Sequence, residues 1–144
     1  MEEKKVRLMH YDPRWRQEFQ QTKSSILHSC DGWVTAVEHV GSTAISGLIA
    51  RPIIDVLAAV ADETALATAA QLIEGLNFRI HDSPFWSAEP IVLGKPRHLS
   101  AAQPDPTHCV WLVIHESDCW RRMIGMRDWL RNQKETAIRF EEAK

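Results

Sequence analysis

Val37-Glu38-His39-Val40-Gly41-Ser42-Thr43-Ala44-Ile45-Ser46-Gly47-Leu48-Ile49-Ala50-Arg51-Pro52-Ile53-Ile54-Asp55-Val56 is the stretch that decides how this chain folds. An alternating apolar run turns through Gly-Ser and reaches a second apolar run that holds one carboxylate. Gly41 lacks a Cβ, so a ligand's phosphate can approach its backbone N–H closely. Ser42 adds a hydroxyl donor. The residues from Thr43 to Leu48 read as the start of a short helix, whose free N–H groups and dipole favour anions. Pro52 stops that helix and starts a strand. Within Ile53 to Val60, read as a buried strand, side chains alternate, so Ile53, Asp55, Leu57 and Ala59 share one side. Asp55 is the only polar group in this run. A buried carboxylate is costly unless a cation, a metal or donors compensate it. Either Asp55 serves a site, or it pairs with Arg51 or caps a loop.

Gly41-Ser42 followed by an acid on the next strand resembles the signature of the DNA polymerase beta-type nucleotidyltransferase superfamily. The longer string Glu38-His39-Val40-Gly41-Ser42-Thr43-Ala44, Gly47-Leu48, Ala50-Arg51-Pro52-Ile53-Ile54-Asp55 is more specific and resembles the GrpB family. Tyr11-Asp12-Pro13, Trp15 and Phe19 match that family's opening, and Arg127-Asp128-Trp129-Leu130-Arg131 a later landmark. The resemblance therefore spans the whole chain. It implies an α/β (α+β) fold, a small mixed sheet flanked by helices. It also implies a site for a nucleotide or other phosphorylated small molecule with a divalent metal, Mg²⁺ or alternatively Mn²⁺. On that resemblance Gly41, Ser42 and Thr43 bind phosphate with Arg51, which stands where the family commonly has lysine. Asp55 holds metal and carries catalysis, supported by Glu38 as a second ligand and by His108.

The chain also departs from these patterns. The superfamily's device is Asp-x-Asp on one strand, and the second position here is Leu57. The late strand from Thr107 to His115 holds no acid; it offers His108 and His115, with Cys109 nearby. The family pattern has more than one histidine at the start of this strand, and His108 alone is present. The chain ends where the family usually continues into a further helix, which is expected to leave apolar surface for a partner subunit in a homo-oligomer. Structural roles compete at each position. Glu38 would pair with Arg51, and His108 would be an ordinary strand-end histidine. His39 would contact phosphate or act as a base, or simply hydrogen-bond the loop. Arg127 and Arg131 share a helix face; they would clamp an anion, or lie on a solvated face paired with Asp128 or Glu135.

Length and composition bound these readings. At 144 residues the chain reads as one domain, 1–144, and such a chain buries about 70% of its unfolded surface. Apolar content is 44% and charged content 25%, ordinary for a globular protein. A net charge of −2 argues against a general nucleic-acid surface. No apolar run is long enough for a membrane span, and Met1-Glu2-Glu3-Lys4-Lys5 lacks the apolar core of a signal peptide. The expected location is cytoplasmic. Cys30, Cys109 and Cys119 are odd in number and form no Cys-x-x-Cys pair, so buried reduced thiols are expected. Of the six tryptophans, most should be core or interface, with one or two able to stack on a base.

In chain order, Val6 to Met9 is a short strand candidate. Asp12-Pro13 opens a helix to about Ser29 with Trp15, Phe19, Ile26, Leu27 and Cys30 on one face. Trp33 to Val40 is the first core strand, a sheet neighbour of Ile53 to Val60. Asp62 caps a helix that ends at Gly75, placed at C′, and Leu76 to Ile80 follows as a strand. The proline-rich 81–106 region has short strand candidates at Ile91 to Leu93 and Arg97 to Leu99, joined by a Gly94-Lys95-Pro96 turn. Thr107 to His115 is apolar on both faces and so central. A helix then runs from Asp118 to about Arg131, and a final one from Lys134 to Lys144. Function is expected to be nucleotidyltransferase-like nucleotide binding with a divalent metal, acceptor undefined and the acidic triad incomplete. The alternative is a non-catalytic nucleotide-sensing or interaction module on the same scaffold.

Overall fold

The structure, a computed structural model, describes residues 8–82, 89–95 and 106–143, except the side chains of 82 and 134–143. Five strands form one mixed sheet: β1 (Val34–Val40), β2 (Ile54–Val60), β3 (Arg79–Asp82), β4 (Ile91–Lys95) and β5 (His108–Ile114), in the order β1-β2-β5-β4-β3. β1 and β2 are antiparallel, β2 and β5 parallel, and the β5–β4 and β4–β3 pairs antiparallel. β5 lies at the centre, as its two apolar faces require. The helices are α1 (Arg14–Ser29), α2 (Thr64–Glu74) and α3 (Asp118–Ala143).

The two faces of the sheet are buried by different helices. Val37 of β1, Ile54, Val56, Ala58 and Val60 of β2, and Val110 and Leu112 of β5 pack with Trp15, Phe19 and Ile26 of α1 and Leu66, Ala69 and Ile73 of α2. On the opposite face Val40, Leu57, Ala59 and Val113 meet Met123 and Ile124 of α3. The Asp55 side of β2 is therefore the α3 side. Side-chain alternation alone makes this division.

Local capping follows the sequence. Asp12 Oδ1 accepts the Arg14 N–H at 2.9 Å, and Asp62 Oδ1 accepts the Ala65 N–H at 3.2 Å. Ser117 Oγ accepts the Trp120 N–H at 3.3 Å and so opens α3. Four details differ from the sequence expectations. Gly75 has φ −63°, and the left-handed residue after α2 is Asn77 at φ 71°. Leu27 is exposed rather than core. Gly94 and Lys95 belong to β4 instead of forming a turn. α3 continues without a break past Arg131, because Asn132 and Gln133 are polar but neither is a helix breaker. Met9 pairs with Ala50 as an isolated bridge. Val6, Pro96 and the Arg97 to Leu99 candidate lie outside the described residues. No helix among those residues is long and apolar enough to cross a membrane.

Candidate functional site

β1 ends at Val40, directly opposite Asp55 in the antiparallel register. The chain then turns at Gly41, with φ 74° and ψ −175°, into a short 3-10 turn, Ser42–Ala44, rather than a longer helix. This geometry brings the Asp55 carboxyl against the Gly41 backbone. A Cβ at position 41 would collide with Asp55 Oδ2. Glycine is needed there twice over, for its backbone angles and for the space the carboxylate fills.

The neighbouring parallel strand completes the surroundings. In the β2–β5 register Asp55 faces Cys109, and Leu57 faces Trp111. Trp111 Nε1 donates to Asp55 Oδ1 at 3.2 Å. Asp55, Ser42, Arg51, Cys109 and Trp111 line one cleft of about 560 Å³, whose remaining wall includes Ile49, Ile53 and Pro106. Burial pushes the Asp55 carboxyl up to about 6, against the opposing pull of the Trp111 hydrogen bond and the Arg51 charge. Replacing Trp111 with Phe removes that donor. A charge-assisted bond of this kind is worth about 1.5 kcal/mol, so the Asp55 pKa should rise further, by about one unit. Carbon NMR titration of the carboxyl reads the change; a fall would refute this account.

Three sequence candidates sit differently from what their roles required. Thr43 is buried; its hydroxyl lies 3.0 Å from His39 Nε2 and donates to the Ile53 carbonyl at 3.2 Å. Its side chain ties the turn to β2 and does not face the cleft. His108 pairs in register with Ile54, so it points to the opposite face from Asp55. There it lies 2.9 Å from Thr107 Oγ1 and lines a separate pocket with Gln21, Thr22 and Lys95 of the α1 side. Burial and the Lys95 charge push it down to about 4. Glu38 is on the Asp55 face, but its Oε2 accepts from Arg127 Nη1 at 3.0 Å. The partner expected from sequence was Arg51. Arg127 also reaches Asp128, at 3.1 Å, and the His39 carbonyl. Arg131 donates to the Ala44 carbonyl at 3.3 Å. Both arginines thus brace the Gly-Ser turn from α3. Among the described residues, no three His, Cys, Asp or Glu side chains cluster to hold a metal ion.

His39 is the turn's buried brace. Phe19 stacks on its ring at 4.6 Å and 10°. Since the Thr43 hydroxyl donates to Ile53, it accepts from His39, which fixes the proton on Nε2 of the neutral ring. Burial, reinforced by Arg131, Arg127 and Arg16, pushes this imidazole from 6.5 to about 4. Above 6.5 both folded and unfolded chains carry it neutral. As pH falls from there to about 4, only the unfolded chain takes the proton, and roughly 3 kcal/mol of stability is lost. Asp55 works the other way: its raised pKa adds stability as pH falls through about 6 towards 3.8. His39→Gln keeps an N–H for Thr43 without the titration. Its melting temperature should fall less steeply than the parent's between these limits, and parallel curves would refute the assignment.

Sequence reasoning missed Trp111 and Cys109 as neighbours of Asp55. The available signal was parity: once β5 is placed parallel beside β2, alternate residues must share the Asp55 face.

Comparison with known proteins adds the following. The family pattern described as GrpB protein matches residues 5–144. A UPF0157 protein of Halalkalibacterium halodurans is 34% identical over 88% of this chain and 60% of its own length. One from Pseudomonas aeruginosa is 30% identical over 97% of this chain and 56% of its own. The chain thus spans about 60% of the length of these relatives. The crystal structure of conserved protein GrpB from Enterococcus faecalis superposes with a TM-score of 0.76 at 22% identity, covering 92% of this chain and 76% of that one. That likeness shows the fold, an α/β arrangement around a mixed sheet.

Proposed function

The chain belongs to the GrpB family, and we propose that it binds a nucleotide, or a similar phosphorylated small molecule, at the Gly41-Ser42 turn. The observation that carries the reading is the Asp55 carboxyl seated against Gly41 in a cleft shared with Ser42 and Arg51. Gly41 and Ser42 offer backbone and hydroxyl donors to phosphate oxygens. Arg51 supplies a guanidinium suited to phosphate. Trp111 and the apolar wall exclude water from the rest of the ligand.

The donor set bears directly on metal chemistry. Two ions need several carboxylates, but Leu57 is fully buried at the place of the second acid and Glu38 is held by Arg127. A two-ion clamp does not fit these residues. Asp55 is the side chain that would ligate a single Mg²⁺ arriving with the phosphates, and such an ion would neutralise phosphate charge. In this reading any nucleotidyl transfer is slow. The same two residues, Leu57 and Glu38, favour a nucleotide-sensing module as the second reading.

A thermal-shift screen of nucleoside triphosphates, with and without Mg²⁺, tests the proposal. A specific ligand at a hundredfold excess over Kd stabilises the fold by about 2.7 kcal/mol, which is several degrees for a chain of this size. No shift with any triphosphate at millimolar concentration would reject nucleotide binding.

A further inference from the structure

The α1 side of the sheet carries a pocket of its own, on the opposite face from Asp55. Lys95 and His108 stand directly across from each other in the antiparallel β4–β5 register, so their side chains share this face. Glu18, Gln21, Thr22 and Ser25 of α1 look onto them. Their spacing of i, i+3, i+4 and i+7 makes one polar stripe along the helix. Leu76 and Phe78 complete a pocket of about 330 Å³, at the small end of the range for small-molecule sites, about 300–1,000 Å³. Elsewhere α1 meets the sheet through Trp15, Phe19 and Ile26. A polar helix stripe facing solvent needs no partner, but this one closes on a lysine and a histidine.

Both signs of charge line this pocket without meeting. The Lys95 ammonium lies 5.7 Å over the Phe78 ring. Neither Lys95 nor Glu18 makes a salt bridge among the described residues, with each other or with a third group. Arg14, the cation that Glu18 feels at longer range, is bonded to Asp12. His108 adds a neutral acceptor. Thr107 Oγ1 donates to the Lys95 carbonyl at 3.2 Å, so it accepts from His108 Nδ1 at 2.9 Å, which places the ring proton on Nδ1. Nε2 keeps its lone pair and has no partner among the described residues, where no buried polar side-chain atom is left unpartnered; it is therefore accessible. A simple anion would meet Glu18 here, and a simple cation would meet Lys95. A molecule carrying both charges complements both, and its ammonium also supplies the donor that Nε2 lacks. We propose that this pocket binds a free polar α-amino acid, with its carboxylate on Lys95, its ammonium on Glu18 and His108 Nε2, and its side chain along Gln21, Thr22 and Ser25. The site goes beyond phosphate-ligand binding and does not depend on it, so its test contains no nucleotide.

The probes are L-serine, L-threonine, L-asparagine and L-glutamine, titrated into the intact protein with its histidines labelled with nitrogen-15. At least one should saturate, moving the His108 Nε2 resonance upfield as the lone pair gains a donor, while His39 stays in place. The N-acetyl and amide derivatives of that amino acid each lack one charge and should bind about tenfold more weakly. Lys95→Met keeps an apolar stem over Phe78 and removes the charge; Glu18→Gln changes an exposed helix position. Each variant should lose about tenfold in affinity with little change in melting temperature. Lys95→Met should also cease to distinguish the amino acid from its amide, which a merely structural lysine would not cause. Absence of a saturable shift with all four amino acids at tens of millimolar would overturn the proposal. Equal binding of the amino acid and both derivatives by the parent would do the same without any variant, as would parental affinity in both Lys95→Met and Glu18→Gln.

Discussion

Gly41→Ala should lower the melting temperature by roughly 10 °C and abolish phosphate-ligand binding in whatever fraction stays folded. Two independent costs combine at this residue. The backbone angles, φ 74° and ψ −175°, are essentially reserved for glycine; an L-residue held there is strained by about 1–3 kcal/mol. The added methyl also occupies the position of Asp55 Oδ2. Asp55 cannot retreat easily, because its strand is locked between β1 and β5 and its other oxygen holds Trp111. The total should reach about 3 kcal/mol or more, and each kcal/mol is worth about 3 °C in a chain of this size. Gly32→Ala is the control for left-handed strain alone. Gly32 also has a positive φ, 83°, but an added Cβ there meets nothing within 4 Å. If the two variants melt together, the carboxylate contact carries no energy.

The sequence made the β1–turn–β2 unit legible for physical reasons. Two apolar runs joined by a short link have little choice but to be neighbours, and Gly41 with Asp55 marked the place where a backbone and an acid would meet. What the sequence hid depended on pairings between distant segments. The parallel register of β5 against β2 sets Cys109 and Trp111 beside Asp55 and turns His108 to the α1 side. A one-residue change of register would reverse that assignment, and nothing local to 107–115 specifies it. Arg127 reaches Glu38 from 89 residues away, so an arginine that looks like part of a solvated helix face becomes a brace for the turn. Thr43 looks like a phosphate ligand because it follows Gly-Ser, yet its hydroxyl is taken up by His39 and Ile53. The resemblance to the GrpB family identified the string from Glu38 to Asp55 as a unit. Geometry then separated the parts that face the cleft from those that hold it in shape.

Asp55→Asn should remove the Mg²⁺-dependent part of nucleotide binding while leaving the fold intact. The substitution is nearly isosteric, and the amide oxygen can still accept from Trp111. It also removes a carboxylate whose pKa is raised to about 6 by burial, so at neutral pH the folded state no longer carries a desolvated charge. The melting temperature without ligand should therefore hold or rise slightly above pH 6. Binding changes because the ligating charge is lost. Mg²⁺ takes oxygen ligands in octahedral geometry and is commonly held by one or two carboxylates together with substrate phosphates. Here Asp55 is the only carboxylate that lines the cleft among the described residues. Calorimetric titration of nucleotide into both forms, with Mg²⁺, with Mn²⁺ and with neither, tests this directly. The parent should bind more tightly with metal, and Asp55→Asn should bind equally with and without it. A metal effect that survives in Asp55→Asn would remove Asp55 from the ligand set. Rapid turnover by the parent would show that other groups replace the missing acids and that the slow-transfer reading is wrong.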